Sequence, residues 1–348
     1  MELTYEPNIV LSTKEYDVVG TRPIRHDGTD KVTGAAKYGA DFYMAGLLFG
    51  KVLRSPHAHA RIKSIDTSKA EALEGVRAVV TVADLPSVTG DGTLKVGELT
   101  TSLRYLRDGV LASDKVLYRG HPIAGVAAVN VHVAEQALGL IEVDYEVLPS
   151  VMTAPEAMKD GAPLIIEDLE TEEFGEKTGV VSNIAEHSQL ALGDIEKGFA
   201  EADEIVESEF NTETVHQGYI EPHSFTTNWN KDGRLHVWLS TQGPFDIRGS
   251  MAEILDLPVS DVKVTPMEIG GGFGAKFSVF GGPVAALLSK KTGHPVKIVN
   301  TRTEEFESST PTSGCYMRVK IGATKEGKIT AAQAYLAYEA GAYPGSPV

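Results

Sequence analysis

The chain has 348 residues and a formal charge of −16, from 32 Lys and Arg against 48 Asp and Glu. Hydrophobic residues make up 42%, which excludes global disorder and is enough apolar material for two domains, and so acidic a surface excludes nucleic acid as a partner. The single cysteine excludes an internal disulfide and a self-contained thiolate metal site, and no apolar run reaches the roughly 20 residues of a membrane span.

The first residues, Met1-Glu-Leu-Thr-Tyr-Glu-Pro7, have neither the basic region nor the apolar run of a secretion signal. A cytoplasmic location is therefore expected, with no membrane partner. Residues 1–30 are polar and aperiodic and read as an arm. A compact α/β pattern occupies 31–150. Strands are expected over 47–53 and 61–65, on either side of a Ser55-Pro-His-Ala-His59 turn. Ser68 and Glu71 have capping-box spacing, which predicts a short helix ending near Gly75, and 78–82 is a β-branched strand. The apolar run 122–129 predicts a strand and 131–140 a helix. Ile141, Val143, Tyr145 and Val147 alternate with Glu142, Asp144 and Glu146, the period of a strand with one buried and one solvated face.

Residues 151–200, with an acidic run over 167–173, are read as a connecting segment. A second domain gathers over 201–348. Its predicted elements are a strand over 235–240, a helix over 245–255 with Ile247, Met251, Ile254 and Leu255 on one face, and a strand over 262–269 interrupted by Pro266. A helix over 283–292 follows, with Pro in its first turn and Gly293 at its C′ position. A strand over 296–299 and a hairpin of 317–323 with 329–338 complete the pattern. The chain stops at Val348 as though more sequence should follow, so a fragment or half of a split subunit is expected.

The strongest local signal is Gly270-Gly271-Gly272-Phe273-Gly274-Ala275-Lys276, directly after a strand. Four glycines in five residues pack poorly, but they allow a backbone to approach a ligand closely and to present N–H groups to oxyanions. Phe273 would add an apolar wall and Lys276 a positive charge. The spacing Gly270-x-Gly272-x-x-Ala275 also fits the dinucleotide fingerprint, with Arg302 placed to receive a 2′-phosphate, so an NADP-binding dehydrogenase is an alternative reading. That fingerprint requires its helix to begin inside the glycine run, whereas Gly281-Gly282-Pro283 restarts it here.

The glycine loop resembles that of the xanthine dehydrogenase/aldehyde oxidase family, in the large subunit that binds the molybdenum–pterin cofactor. Further segments fall in that family's order. They are 34–41, Arg54-Ser-Pro-His-Ala-His-Ala-Arg-Ile-Lys-Ser-Ile-Asp-Thr-Ser68, Arg119-Gly-His-Pro-Ile-Ala-Gly125, Val143-Asp-Tyr-Glu-Val-Leu-Pro149, Tyr219-Ile-Glu-Pro-His223, Ser240-Thr-Gln242 and Lys291-Thr-Gly-His-Pro-Val296. The resemblance implies an α+β fold, with an α/β hammerhead domain over 31–150 followed by an incomplete first mixed α/β molybdopterin-binding domain over 201–348. It implies an oxidoreductase that hydroxylates a small molecule with oxygen derived from water. Electrons would leave through [2Fe–2S] clusters toward FAD, both on partner subunits or domains, since one cysteine cannot hold a cluster. The cofactor would be molybdenum–molybdopterin, in its cytosine dinucleotide form if the source is bacterial.

The same resemblance gives Gln242 and Phe273 the catalytic positions. Gln242 would hydrogen-bond a metal oxo group, while Gly271, Gly272, Phe273 and Gly274 would lie against the cofactor, none of them ligating the metal. Purine-oxidising relatives carry a glutamate after the loop lysine. Here Phe277 stands there, and it implies an aldehyde or (hetero)aromatic substrate, with core packing as its other reading. The family's later arginine-bearing Phe-Arg-Gly-Phe-Gly motif and its general-base glutamate do not occur in this sequence. A C-terminal molybdopterin-binding half is therefore an expected partner, and little turnover is expected of this chain alone. A non-catalytic scaffold that retains the fold is a third reading.

Other constellations carry less. His57 and His59 read as a surface turn. His216, Glu221 and His223 lack H-E-x-x-H spacing and read as packing, and Cys315 reads as a small structural residue. A serine hydrolase has no G-x-S-x-G support.

Overall fold

The computed structural model describes residues 16–87, 92–96 and 99–344. It divides into a unit ending at Lys37 and a second unit from Tyr38 onward. Of the expected N-terminal arm, residues 1–15 lie outside the described residues. The described part holds one short helix, α1 (Gly28–Thr33), which ends on Gly34 in the left-handed region.

The second unit opens with β1 (Leu48–Arg54), β2 (Ala60–Asp66), α2 (Ser68–Glu71) and β3 (Val76–Thr81). The capping box expected from Ser68 and Glu71 does not form, because Ser68 is already helical. Its N–H donates to Asp66, and Thr67 at the N-cap bonds Glu71 through its hydroxyl instead. Next come β4 (Thr93–Val96), β5 (Leu99–Ser102), α3 (Leu103–Val110), β6 (Lys115–Val116), β7 (Pro122–Ala128), α4 (Val131–Leu138) and β8 (Glu142–Val147). Along β8 the inward face stops at Tyr145. Val147, expected inside, is exposed at the end of the strand, opposite Ala60 at the start of β2.

The 151–200 segment is more than bare connection. It holds α5 (Ala154–Ala157), the hairpin of β9 (Glu170–Glu173) with β10 (Glu176–Val181), and α6 (Ile195–Ala200). Thr153 and Asp194 cap the two helices with their side-chain oxygens. Beyond them lie β11 (Glu204–Thr212), β12 (Ser224–Trp229), β13 (Leu235–Leu239), α7 (Pro244–Ile254), β14 (Val262–Pro266), α8 (Gly282–Thr292), β15 (Val296–Val299), α9 (Arg302–Ser308), β16 (Cys315–Ala323) and β17 (Ile329–Tyr338). The strand expected to reach residue 269 ends at Pro266, which has no N–H to continue the ladder.

One seven-stranded sheet runs in the order β14-β13-β12-β15-β1-β7-β3, so segments on both sides of 151–200 build the same sheet. Strand β7 is buried along its whole length, which is why its sequence is apolar throughout rather than alternating. Helix α8 is buried over its first eight residues and lies close on the sheet. A Cβ on Gly125 of β7 would come within 2.4 Å of Val284. Phe225, Leu235, Val237, Leu239, Ile247, Met251, Ile254, Val284 and Leu288 form the core between this sheet and helices α7 and α8.

The topology brings four chain ends together. Strands β13 and β14 run parallel, with Leu239 opposite Pro266, while β12 runs antiparallel to β13 and β15, with Ser224 opposite Val299. The exits of β13, β14 and β15 and the entry of β12 therefore share one end of the sheet. In mixed sheets of this kind the carboxyl ends of the strands are where ligands bind.

Candidate functional site

At that end the glycine loop leaves β14, Ser240-Thr241-Gln242 leaves β13, Tyr219–His223 enters β12, and α9 follows β15. Gln242 and the loop are tied together. The Gln242 N–H donates to the Lys276 carbonyl (2.9 Å), and its side-chain Oε1 accepts from the N–H groups of Gly274 (3.1 Å) and Lys276 (3.2 Å). With Oε1 spent in this way, the Gln242 Nε2 has no partner among the described residues, and it is a donor facing solvent. The Cβ absent from Gly272 would lie 2.4 Å from Gln242 Oε1, so only glycine lets the amide sit there. Gly274 has φ +97° and no protein atom within 4 Å of its missing Cβ. Phe273, at φ 51°, is 74% exposed. The loop thus holds an aromatic ring and an open backbone outward, beside an amide donor.

The loop stands on a buried ion pair. Lys276, expected to offer its charge to a ligand, instead turns inward. Its ammonium lies 2.7 Å from Glu221 Oε2 and 3.0 Å from the Glu221 carbonyl, over the Tyr219 ring, and its side chain is wholly buried. Within the loop Ala275 and Lys276 are both buried. The same carboxylate accepts the Gly270 N–H (2.6 Å) at Oε2 and the Ser240 hydroxyl (2.5 Å) at Oε1. One side chain therefore anchors the first glycine, the loop lysine and the β13 exit.

Beneath this pair lies a second polar cluster. Glu305 of α9 is fully buried. It accepts from the Tyr219 hydroxyl, from the His223 N–H (2.8 Å), from His223 Nδ1 (2.6 Å) and from Asn300 Nδ2 (3.2 Å). Burial alone would raise its pKa, but the hydrogen bonds and charge of His223, with the Tyr219 hydroxyl, hold the carboxyl down at about 2. Burial, then the hydrogen bond to Glu305, pushes the Tyr219 hydroxyl well above its usual range. His216, Glu221 and His223 do not converge, because Glu221 faces Lys276 while His223 faces Glu305. No cluster of three metal-ligating side chains occurs among the described residues.

Two further expectations are corrected here. Arg302 does not face a phosphate, since its guanidinium is held by the carbonyls of Tyr219 (2.9 Å) and Ile220 (2.5 Å). The glycine run leads into a single 3-10 turn, Ala275–Phe277, not into the long helix that a dinucleotide fingerprint requires. The His57–His59 turn is not a plain surface turn. His59 is buried with Nδ1 2.6 Å from the Pro149 carbonyl, and His57 packs edge-on against Tyr145. Phe277 is 38% exposed, its ring beside Gly243. Cys315 is buried at the start of β16.

Residues 33–149 match the family model of the aldehyde oxidase and xanthine dehydrogenase a/b hammerhead domain, and residues 177–348 that of the molybdopterin cofactor-binding domain. The chain is 34% identical over 330 residues to the nicotinate dehydrogenase large molybdopterin subunit of Eubacterium barkeri, covering 95% of this chain and 72% of that one. The chain belongs to the xanthine dehydrogenase/aldehyde oxidase family. It is also 33% identical to the carbon monoxide dehydrogenase large chain of Afipia carboxidovorans, over 99% of its own length and 42% of that chain. Among solved structures it resembles reconstituted CO dehydrogenase from Oligotropha carboxidovorans, with TM-score 0.78, 34% identity, and coverage of 91% of this chain and 39% of that one. The Desulfovibrio gigas aldehyde oxidoreductase superposes with TM-score 0.75 at 26% identity, covering 90% of this chain and a third of that one. This member of the family thus spans about two fifths of the CO dehydrogenase large chain and nearly three quarters of the nicotinate dehydrogenase subunit. Its α+β architecture is the hammerhead domain followed by a molybdopterin-binding domain. No helix among the described residues is long and apolar enough to cross a membrane.

The residues present fit such a cofactor. Pterin and oxo oxygens need neutral donors that leave the metal's ligands alone. The outward amide of Gln242 is a donor of that kind, and the open space over Gly274 lets such a group approach the backbone closely. Sequence reasoning did not find the Glu221–Lys276 pair, because two charges 55 residues apart give no local signal. It also missed Glu305, which sits on a short helix in a charged stretch that reads as ordinary surface.

Proposed function

We propose that this chain supplies the glycine-loop side of the molybdenum cofactor site in a hydroxylase acting on an aldehyde or a (hetero)aromatic compound. The observation that carries the reading is the Gln242 side chain. Its oxygen is locked by two loop N–H groups, so the amide can only donate outward. Gln242 Nε2 would donate to an oxygen of the group, while Gly271, Gly272 and Gly274 give it close access to backbone and Phe273 walls one side. When bound, the group supplies two-electron redox chemistry that oxidises a substrate carbon with oxygen from water. The chain's own part is to orient the group, hold a neutral donor on it and keep the loop rigid through Glu221 and Lys276.

Phe277 forms part of the substrate wall, where an aromatic ring suits a planar or carbonyl substrate and offers no carboxylate to a purine. If the source is bacterial, the cofactor is the cytosine dinucleotide form. Electrons pass to [2Fe–2S] and FAD centres on partner polypeptides in the cytoplasm, and a second molybdopterin-binding segment brings the general base. Steady-state turnover of the assembled enzyme tests this. Aromatic aldehydes or N-heteroaromatic acids should be oxidised in preference to xanthine, with Phe277→Glu reducing that preference. A preference for xanthine that is indifferent to Phe277→Glu would overturn the substrate assignment.

A further inference from the structure

Strands β11, β16 and β17 form a separate three-stranded sheet in the order β11-β16-β17. Its registered rows are Val206–Ile321–Ala332, Ser208–Val319–Ala334, Phe210–Met317–Leu336 and Thr212–Cys315–Tyr338. Residues directly opposite one another point to the same face, so apart from Ser208, Thr212 and Glu204 at the end of β11 this face is apolar or aromatic. The other face carries Glu207, Glu209, Arg318, Lys320 and Gln333. Helices α5 and α6 lie on that polar side. Met158 reaches the Tyr335 hydroxyl, Phe199 lies under Lys320, and Ala202 meets Gly322. The apolar face is left open, with Val206 66%, Phe210 53%, Leu336 48% and Tyr338 50% exposed. An apolar sheet face is stable only against another layer.

The choice of occupant follows from area, charge and relatives. Three strands about 4.8 Å apart and about nine residues long present roughly 400 Å². A second copy would therefore bury about half of the roughly 800 Å² per partner that a stable interface uses. It would also bring together two chains of formal charge −16, which repel. The occupant must instead hold this chain at another place as well. The CO dehydrogenase chain that shares the fold extends far beyond the match, since this chain covers 39% of it.

We propose that the apolar face of β11-β16-β17 seats the polypeptide equivalent to the unmatched remainder of that chain, whether joined to this one or separate. The inference rests on the proposed function, in which the same polypeptide completes the cofactor site. A photo-crosslinking residue in place of Leu336, with one in place of Lys320 as the opposite-face control, tests it in the assembled enzyme purified through a tag on this chain. Position 336 should crosslink to a polypeptide carrying the family's second molybdopterin-binding segment, and position 320 should not. Phe210→Glu, which alters an exposed side chain and should leave the thermal midpoint of the isolated chain unchanged, should weaken that association about tenfold or more. Crosslinks to a second copy, to an iron–sulfur or flavin polypeptide, or to nothing would overturn the proposal. Molybdenum content of the same preparation separates the two claims. Metal without the crosslink sinks the docking proposal alone, and the crosslink without metal sinks the functional reading.

Discussion

Replacing Lys276 by methionine keeps the aliphatic stem and removes the ammonium that the glycine loop rests on. Glu221 would keep its bonds from Ser240 and Gly270 but lose its counter-charge, in a place where only 11% of its side chain meets solvent. Removing one member of a buried pair costs about 3–5 kcal/mol. Because two neutral donors remain on the carboxylate, we expect the lower end, about 3 kcal/mol. In the double variant Glu221→Gln/Lys276→Met no buried charge is left unpaired, so its cost should fall to about 1–2 kcal/mol, well below the sum of the single variants. Urea unfolding followed by tryptophan fluorescence reads this directly, since both tryptophans, Trp229 and Trp238, sit on strands of the main sheet. At about 3 kcal/mol per molar urea, the Lys276→Met midpoint should fall by about 1 M. Single-variant costs below about 1 kcal/mol that simply add in the double variant would show that the loop is held by something else.

Four further outcomes are expected. The Glu305 carboxyl, held at about 2 against an ordinary 4.5, stabilises the fold fully above about pH 4.5, and this contribution is lost as pH falls toward 2. The 4.5 − 2 difference sets a ceiling of about 3 kcal/mol, so the loss of stability between pH 5 and 3 should be smaller in Glu305→Gln than in the wild type. Gly272→Ala should displace the Gln242 amide at about 1–2 kcal/mol, the cost of two hydrogen bonds. Gly274→Ala should cost a similar amount, about 1–2 kcal/mol, but through its positive φ rather than through any clash within the chain. Equal crystal positions for Gln242 in wild type and Gly272→Ala would contradict the Gly272→Ala prediction. Finally, NADPH titration should give no saturable fluorescence enhancement, because Arg302 is occupied by backbone carbonyls.

How much of this was legible in the sequence depended on whether the signal was local. Helices α7 and α8 and the β16–β17 hairpin were readable because face periodicity, an N1 proline and a C′ glycine are short-range. The Ser68–Glu71 box failed because the helix begins one residue earlier than the box requires, with Thr67 at the N-cap and the Ser68 N–H taken by Asp66, two residues before it. Within the site, the loop glycines and Gln242 were readable, but only through resemblance did Gln242 acquire a role. Lys276 was misread because a lysine beside glycines looks like a ligand group until Glu221, 55 residues earlier, is brought under it. The joining of strands β1, β7 and β3 to β12–β15 in one sheet, through the pairing of β1 with β15, is likewise a long-range contact that no sequence window contains.

Metal analysis of the enzyme purified through a tag on this chain tests the central claim most directly. Wild-type enzyme should carry one molybdenum with its pterin per chain. Gly272→Ala enzyme of matched subunit composition and thermal midpoint should carry substantially less. A complete, stable complex without molybdenum, or undiminished metal in Gly272→Ala, would contradict the assignment of the glycine loop and Gln242 to the cofactor.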